Sequence, residues 1–437
     1  MTNLKFKKFF GIKEIGQQQN TVYVNYPYTY FDLGDSTVIN DQFIAHAPAL
    51  AVLNSGWILD GKFIITDDGF ILGEGFSWSE PNVAHDIWRN RKKLENNSDT
   101  EILTVENFSY DKVPINISRE IDTEEIADTI FFAGFDNLSH FMMEIAPKSL
   151  LLSKILNKQP LMKNISFCDL VPKKWVDYTL KIAEIISAEK FGLATKFINS
   201  NKAVRFRNLI AVSSITYRSL IDSKLRMSAQ EAQFFCRHMQ KNIVSSKNAN
   251  PYILYLSRKL ASHRRTVNQD NLIKIIKNVY PDLEFVKEEK IHELSMEDQA
   301  NLIFNANLVV EEGGGSTGFT SNLIRKGVPY VCITTTQRAN AASSVYLSAL
   351  GKYAAWVFGD PVGKLTKSPL VDNDVSVNED YFKDLLVKLS FYMQKKISMP
   401  KIVFNAKYKS HELYTTAESV NKVGSGVSVA SFNKSKK

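Results

Sequence analysis

The sequence predicts an α/β fold in two halves, each a parallel sheet with helices on both faces, behind a strand-rich N-terminal portion. Three observations predict it. From about residue 128 onward, short apolar runs alternate with stretches of helical period, the pattern of βα units. The polar run SSKNANP, residues 245–251, ends in proline and cuts this alternation into two series. Residues 20–110, by contrast, read as strand-rich and irregular.

Taken in order, FIITDDGFIL sets two apolar runs around Asp67-Asp68-Gly69, a hairpin signal. TIFFAG reads as a strand, and a helix starts near Asn137. ISFC is a strand, 173–188 a helix, KFI and LIAV short strands. A helix over 228–244 has Ser228 as its N-cap and Glu231 three residues on. Past the polar run, YILYLS is a strand, 268–279 a helix and LEFV a strand. The helix over 295–305 opens with Ser295 and Asp298 as a capping box. NLVVEE is a strand, 317–326 a helix and PYVCI a strand. The domains are therefore set at 1–246 and 247–417, with a flexible tail at 418–437 rich in Ser, Gly and Lys. Two such halves predict a cleft, where ligands commonly bind.

Bulk properties narrow the classes. A chain of 437 residues is too long for one ordinary core. Hydrophobic residues at 44% and charged residues at 23% are a soluble, globular composition. Lys and Arg (54) exceed Asp and Glu (46), for a net charge of +8. That excess favours anionic partners, although the scattered basic residues equally fit a solvated surface. No nucleic acid partner is expected. Cys168, Cys236 and Cys332 are far apart and form no metal spacing. Isolated thiols suit a reducing compartment, so a cytoplasmic location is expected. No run of about 18 apolar residues occurs, and the best stretch, 43–59, is broken by His46, Pro48, Asn54 and Gly56. In LKFKKFFGIK, residues 4–13, aromatic and lysine residues interleave. Such a segment either lies on anionic lipid, a peripheral membrane contact, or packs its aromatics on the domain.

The glycine run in VVEEGGGSTGFTSN, residues 309–322, fits several chemistries. It follows a buried-looking strand and opens a helix, so its amides, with Ser316 and Thr317, favour an anion. A dinucleotide fingerprint asks for an acid about 20 residues on, and TTTQRANAA has none. A P-loop is excluded, because no Lys-Ser or Lys-Thr follows. The GxSxG formed by Gly314, Ser316 and Gly318 fits a hydrolase elbow, with His411 late in the chain as its base. A glycine turn without ligand is the plain alternative.

Two further segments carry chemistry. In YLSRKLASHRRTVN, residues 255–268, Ser257, Arg258, Arg264 and Arg265 fall at the carboxyl end of the second series' first strand. Open α/β sheets bind ligands at that edge, and guanidinium groups grip phosphate two-pronged. In NLSHFMMEIAP, His140 and Glu144 are four apart on one helix face, suited to act as base and orienter, or to serve as structural hydrogen-bonding residues. Pro147 is expected to end or kink that helix. Asp372-Asn373-Asp374 spells Asp-x-Asp but reads as a solvated loop.

With these segments on the page, the chain resembles the bacterial members of glycosyltransferase family 61. DNLSHFMMEIAPKSLLL is similar to the family's Asn-x-x-His-Phe-x-x-Glu-x-x-Pro segment. YLSRKLASHRRTVNQ is similar to its Ser-Arg…Arg-Arg…Asn segment. LSMEDQANLIFNANLVVEEGGGSTGFTSNLI is similar to its helix, strand and Gly-rich turn ending in Asn. Two departures stand out: Glu312-Gly313 where many members have His-Gly, and Asp298 before Gln299 where Glu is usual. The resemblance implies a GT-B-like fold, two Rossmann-like domains facing across a cleft. It also implies an inverting, metal-independent transfer from a nucleotide-sugar donor to a glycan or lipid-linked acceptor, with no further cofactor. Under it, Ser257, Arg258, Arg264, Arg265, Glu312, Gly314, Gly315, Ser316, Thr317 and Asn322 form the donor site, and His140 or Glu144 is the base. The alternatives are a serine hydrolase using Ser316 and a non-catalytic module that binds nucleotide or polysaccharide.

Overall fold

The structure is a computed structural model of the chain. It describes residues 50–67, 117–134, 136–187, 190–218, 229–243, 250–335 and 373–394, with shorter pieces at 3–6, 12–13, 22–28, 39–45, 71–72, 102–105, 108–111, 225–227, 346–347, 350, 352 and 354–362. The side chains of residues 4–13, together with Ser228, Asp372, His411 and the tail 418–437, lie outside the described residues. The fold is mixed α/β. Two compact units divide the chain, Met1–Tyr23 with Ile44–Phe235 and Val24–Phe43 with Cys236–Lys437, so the last cut falls inside one helix. The boundary expected from the polar run at 245–251 stands a little further on.

Unit 1 holds a ten-stranded sheet. Its strands are β1 (Asn3–Phe6), β2 (Ile12–Lys13), β3 (Leu50–Leu59), β4 (Phe63–Thr66), β5 (Ile71–Leu72), β6 (Ile117–Ile121), β7 (Ile126–Ala133), β8 (Asn164–Cys168), β9 (Ala194–Ile198) and β10 (Lys202–Val212). The order is β9-β8-β7-β10-β3-β4-β5-β2, with β1 on β6 and β6 on β10. Strands β9, β8, β7 and β10 run parallel, as the βα alternation predicts. Strand β3 then joins antiparallel to β10, so the strands at 50–72 extend the same sheet, while Val22–Tyr28 with Ile39–Ala45 and Ile102–Val105 with Phe108–Asp111 form two-stranded sheets of their own. The expected hairpin is present, with Ile65 opposite Ile71. Ile130, Phe131 and Phe132 in β7 are all fully buried, as in a strand covered on both faces.

After β7 the chain turns through Ala133 (φ 63°) and Gly134 (φ 150°). A Cβ on Gly134 would stand 2.2 Å from a Val171 methyl, so this turn requires glycine. Helix α1 follows over 138–158: α-helical at Leu138–His140, π-helical at Phe141–Ile145, 3₁₀ at Ala146–Leu151 and α-helical at Leu152–Lys158. The break expected at Pro147 is thus a change of helical type. Proline sits in the first turn of the 3₁₀ segment, where its missing N–H costs nothing. Helix α2 is Lys173–Ser187, and α3 is Ala229–Ile243.

Unit 2 holds a six-stranded sheet. Its strands are β11 (Tyr252–Leu256), β12 (Glu284–Glu288), β13 (Leu308–Glu312), β14 (Tyr330–Thr335), β15 (Ala354–Val362) and β16 (Asp374–Ser376). The order β12-β11-β13-β14-β15-β16 is parallel except for β16. Counted within the unit, strand order therefore reverses between its first and third strands. That is the switch point at which ligands of open α/β sheets bind.

Helices α4 (Gln269–Val279) and α7 (Glu379–Met393) cover one face, with Leu272, Ile276, Phe382 and Leu386 packed on Tyr255 and Val310. Helix α5 (Met296–Asn305) packs against α6 (Thr317–Leu323). The Tyr252 hydroxyl donates to the Leu302 carbonyl of α5 (2.6 Å). Ser295 caps α5 as predicted, accepting the Asp298 N–H at 3.0 Å. Helix α6 is shorter than the 317–326 expected, because Ile324 turns extended (ψ 129°) and leads into the Gly327 turn before β14.

Since Phe382 is fully buried between α7 and the sheet, Phe382→Ala is expected to lower stability by about 3–5 kcal/mol. Urea denaturation of the two proteins measures it.

Candidate functional site

At the switch point β13 ends in two consecutive carboxylates. Successive strand side chains point to opposite faces, so Glu311 and Glu312 part company. Glu311 is fully buried and accepts the hydroxyls of Ser316 (2.5 Å) and Tyr330 (2.8 Å). Glu312, also buried, accepts the Tyr255 hydroxyl (2.8 Å) and the Gln269 amide (2.5 Å) on the α4 side. Its second oxygen accepts the Arg258 peptide N–H at 2.8 Å. Burial pushes the Glu311 carboxyl up, against the pull of its hydroxyl donors and the Arg258 charge. Burial, with a carboxylate beside each, also pushes the Tyr255 and Tyr330 hydroxyls well up. They remain neutral donors.

These bonds fasten the arginine segment to the glycine loop. The Arg258 guanidinium lies against Gly314, where a Cβ would stand 2.2 Å from Nη1. Its Nη2 donates to the His263 carbonyl (3.3 Å), and Arg264 Nη2 contacts His263 Nε2 (3.2 Å). Arg264 itself has φ 60°, left-handed backbone that a non-glycine residue adopts only when its surroundings hold it. The Ser257 hydroxyl accepts the same Gln269 amide that serves Glu312, at 2.6 Å. Thr317 donates to the Gly314 carbonyl (3.1 Å), closing the loop. So Ser257, Arg258, Gly314, Ser316, Thr317 and Glu312 come together, with Gly315 inside the loop and Arg264 joined through His263.

Three expected site residues stand elsewhere or act otherwise. Arg265 turns to Asp374, giving it the peptide N–H (2.8 Å), Nε (3.0 Å) and Nη2 (2.6 Å). Asp374 is accordingly no solvated loop residue: Arg265 holds its carboxyl below the usual range, and it opens β16. Asn322 lies at the far end of α6, fully buried, with its side chain between the Gly318 carbonyl (2.8 Å) and the Tyr346 hydroxyl (2.9 Å). Buried Lys352 and Gln240 donate to its carbonyl, capping the helix C-terminus. Ser316 precedes α6 but makes no cap bond, since its hydroxyl goes to Glu311. Its backbone is ordinary (φ −91°, ψ −15°), unlike the strained turn of a hydrolase elbow.

In unit 1, Asn137 caps α1, accepting the N–H groups of Ser139 (3.0 Å) and His140 (3.3 Å). His140 Nδ1 and Glu144 Oε1 are 2.6 Å apart, and the two side chains are 37% and 13% exposed. Ser214 donates to the Glu144 carbonyl. The π-helical turn between them is a distortion frequent at functional sites. An imidazole that gives its Nδ1–H to a carboxylate keeps Nε2 as its acceptor nitrogen. The sequence reading overlooks two buried charges: Glu311, a carboxylate ending an otherwise apolar run, and Lys148, four residues beyond Glu144.

The raised pKa of Glu311 has a pH consequence. A carboxyl whose folded pKa exceeds its unfolded value loses stability as pH rises above about 4.5. Glu311→Gln removes that dependence, so the variant is expected to gain on the native chain between pH 4.5 and pH 7.5, as urea midpoints at each pH record.

Residues 138–318, which run from the helix of His140 to the end of the glycine loop, match the family described as Glycosyltransferase 61. No curated protein matches the chain. Among solved structures, the dodecameric iron-containing heptosyltransferase TibC with ADP-D-beta-D-heptose shares 8% identity, with 79% of this chain and 86% of that one covered at a TM-score of 0.29. The dodecameric TibC glycosyltransferase from enterotoxigenic E. coli shares 9% identity, with 78% and 86% covered at 0.28. Overlaps of that size do not establish a shared fold. Residues 138–318 are thus similar to glycosyltransferase family 61, and that similarity supports a glycosyltransferase.

Proposed function

We propose that the enzyme is an inverting, metal-independent glycosyltransferase that moves a sugar from a nucleotide-sugar donor to a growing surface glycan, a capsule, lipopolysaccharide or exopolysaccharide. In this reading unit 2 is the donor half and unit 1 the acceptor half of a GT-B-like enzyme. The observation that carries it is the Arg258 guanidinium lying against Gly314 at the switch point of unit 2. A diphosphate there meets guanidinium groups from Arg258 and Arg264 and the amides of residues 314–317. Such preorganised donors stabilise the charge that grows on the leaving group.

Inversion is a single displacement. The acceptor hydroxyl attacks the anomeric carbon as the glycosidic bond to the diphosphate breaks. His140 takes the hydroxyl proton, while Glu144 holds the imidazole by Nδ1 and stabilises the imidazolium. Arg265 keeps a lesser part here, since Asp374 already neutralises it. A serine hydrolase is less well supported, because the Ser316 hydroxyl donates its hydrogen bond to the buried Glu311 carboxyl and not to a histidine. A cytoplasmic location fits three buried, unbridged cysteines. Contact of residues 4–13 with the inner membrane face belongs to the same proposal.

Uridine and adenosine diphosphates are expected to raise the melting temperature. Arg258→Ala abolishes that rise, and so does Gly314→Ala, whose methyl group displaces the guanidinium. A full shift in Arg258→Ala would remove the diphosphate assignment. Separately, His140→Ala is expected to lower kcat about 10²–10⁴-fold without changing nucleotide binding. Single-turnover assays with a panel of nucleotide sugars measure this.

A further inference from the structure

We propose that His263 is a positioning residue for the diphosphate, holding the guanidinium groups of Arg258 and Arg264 at a fixed spacing before any nucleotide arrives. The proposal rests on the reading of the Arg258–Gly314 contact as a diphosphate site. One residue meets both arginines. The His263 carbonyl accepts Arg258 Nη2 (3.3 Å), and its ring nitrogen Nε2 lies 3.2 Å from Arg264 Nη2. A guanidinium donates and never accepts, so at this contact Nε2 supplies the lone pair and Nδ1 carries the ring proton. Nδ1 stands 2.7 Å from the Ser262 hydroxyl, which accepts its hydrogen bond.

The segment that carries these groups is tied down at both ends. The Arg258 N–H goes to Glu312 and the Arg265 N–H to Asp374, each at 2.8 Å. Within it, the Ala261 N–H turns back to the Arg258 carbonyl (2.8 Å), and Arg264 takes its left-handed backbone (φ 60°). The backbone thus fixes where each arginine starts, and His263 fixes where each ends. Two guanidinium groups repel each other, and each long side chain loses rotamer freedom when it grips a phosphate. Acceptors on a single residue offset both costs in advance. Groups ordered beforehand bind more tightly because less remains to be ordered on binding. The carbonyl and the ring belong to one amino acid, so the spacing of the two cations is set by its geometry, as two linked phosphates require.

The test is calorimetric titration with uridine, adenosine, guanosine, cytidine and thymidine diphosphates. For the nucleotide that the native chain binds, His263→Ala should weaken affinity about tenfold, the loss of one hydrogen bond to a charged group. His263→Leu, which fills space but accepts nothing, should lose as much. His263→Gln, whose carbonyl oxygen can stand near the place of Nε2, should recover most of the affinity. In an Arg264→Ala background, His263→Ala should change affinity no further, because the two side chains act as one unit. Full affinity in His263→Ala overturns the proposal. So does a loss that leucine restores or glutamine does not, and so does a loss that persists undiminished in the Arg264→Ala background. Arg258→Ala separates the two claims. If no nucleotide binds the native chain, or if Arg258→Ala binds as tightly as the native chain, the diphosphate reading and this proposal fall together. If Arg258→Ala loses binding while His263→Ala keeps it, only the role of His263 falls.

Discussion

Strand β13 ends in two carboxylates that a strand must send to opposite faces, and both are buried. A buried carboxylate is costly unless donors surround it. The chain supplies them from both sides: Ser316 and Tyr330 on one face, Tyr255, Gln269 and the Arg258 peptide on the other. Meeting that demand draws the glycine loop, the arginine segment and the first turn of α4 onto one strand end. The shape of this candidate site is thus a consequence of satisfying two buried carboxyl groups. Glu312 accordingly bonds to the frame of the loop.

Unit 1 solves a similar problem with different parts. Its parallel strand β7 ends in a left-handed turn that only glycine can complete beside Val171. The turn delivers Asn137, whose side chain starts the helix, and the π-helical segment then sets His140 against Glu144. In each unit the polar groups gather where a parallel strand gives way to a loop and a helix. That location follows from the fold, since βα connections leave backbone amides unpaired there.

Much of this was legible in the sequence. The βα alternation fixed the parallel strands of both units, because alternation of period is a local property. The helix start near Asn137, the Ser295 cap and the His140–Glu144 pair were equally local, spanning at most four residues. What stayed hidden depends on partners distant in the chain. Arg265 meets Asp374 and Lys352 meets Asn322 only after the sheet has formed. Asn322 reads as a site residue beside the glycine loop, yet α6 carries it a helix length away. Lys148 looks like a surface lysine until β7 supplies the Phe132 carbonyl. The joining of β3 to β10 is another long-range pairing that no window of residues reveals.

The most direct test of the account is a crystal structure with a bound nucleoside diphosphate. The account predicts both phosphates at the carboxyl edge between β11 and β13, with oxygens about 3 Å from the Arg258 guanidinium and the amides of residues 314–317. A diphosphate bound elsewhere, with Arg258 still packed against an empty Gly314 loop, would contradict it.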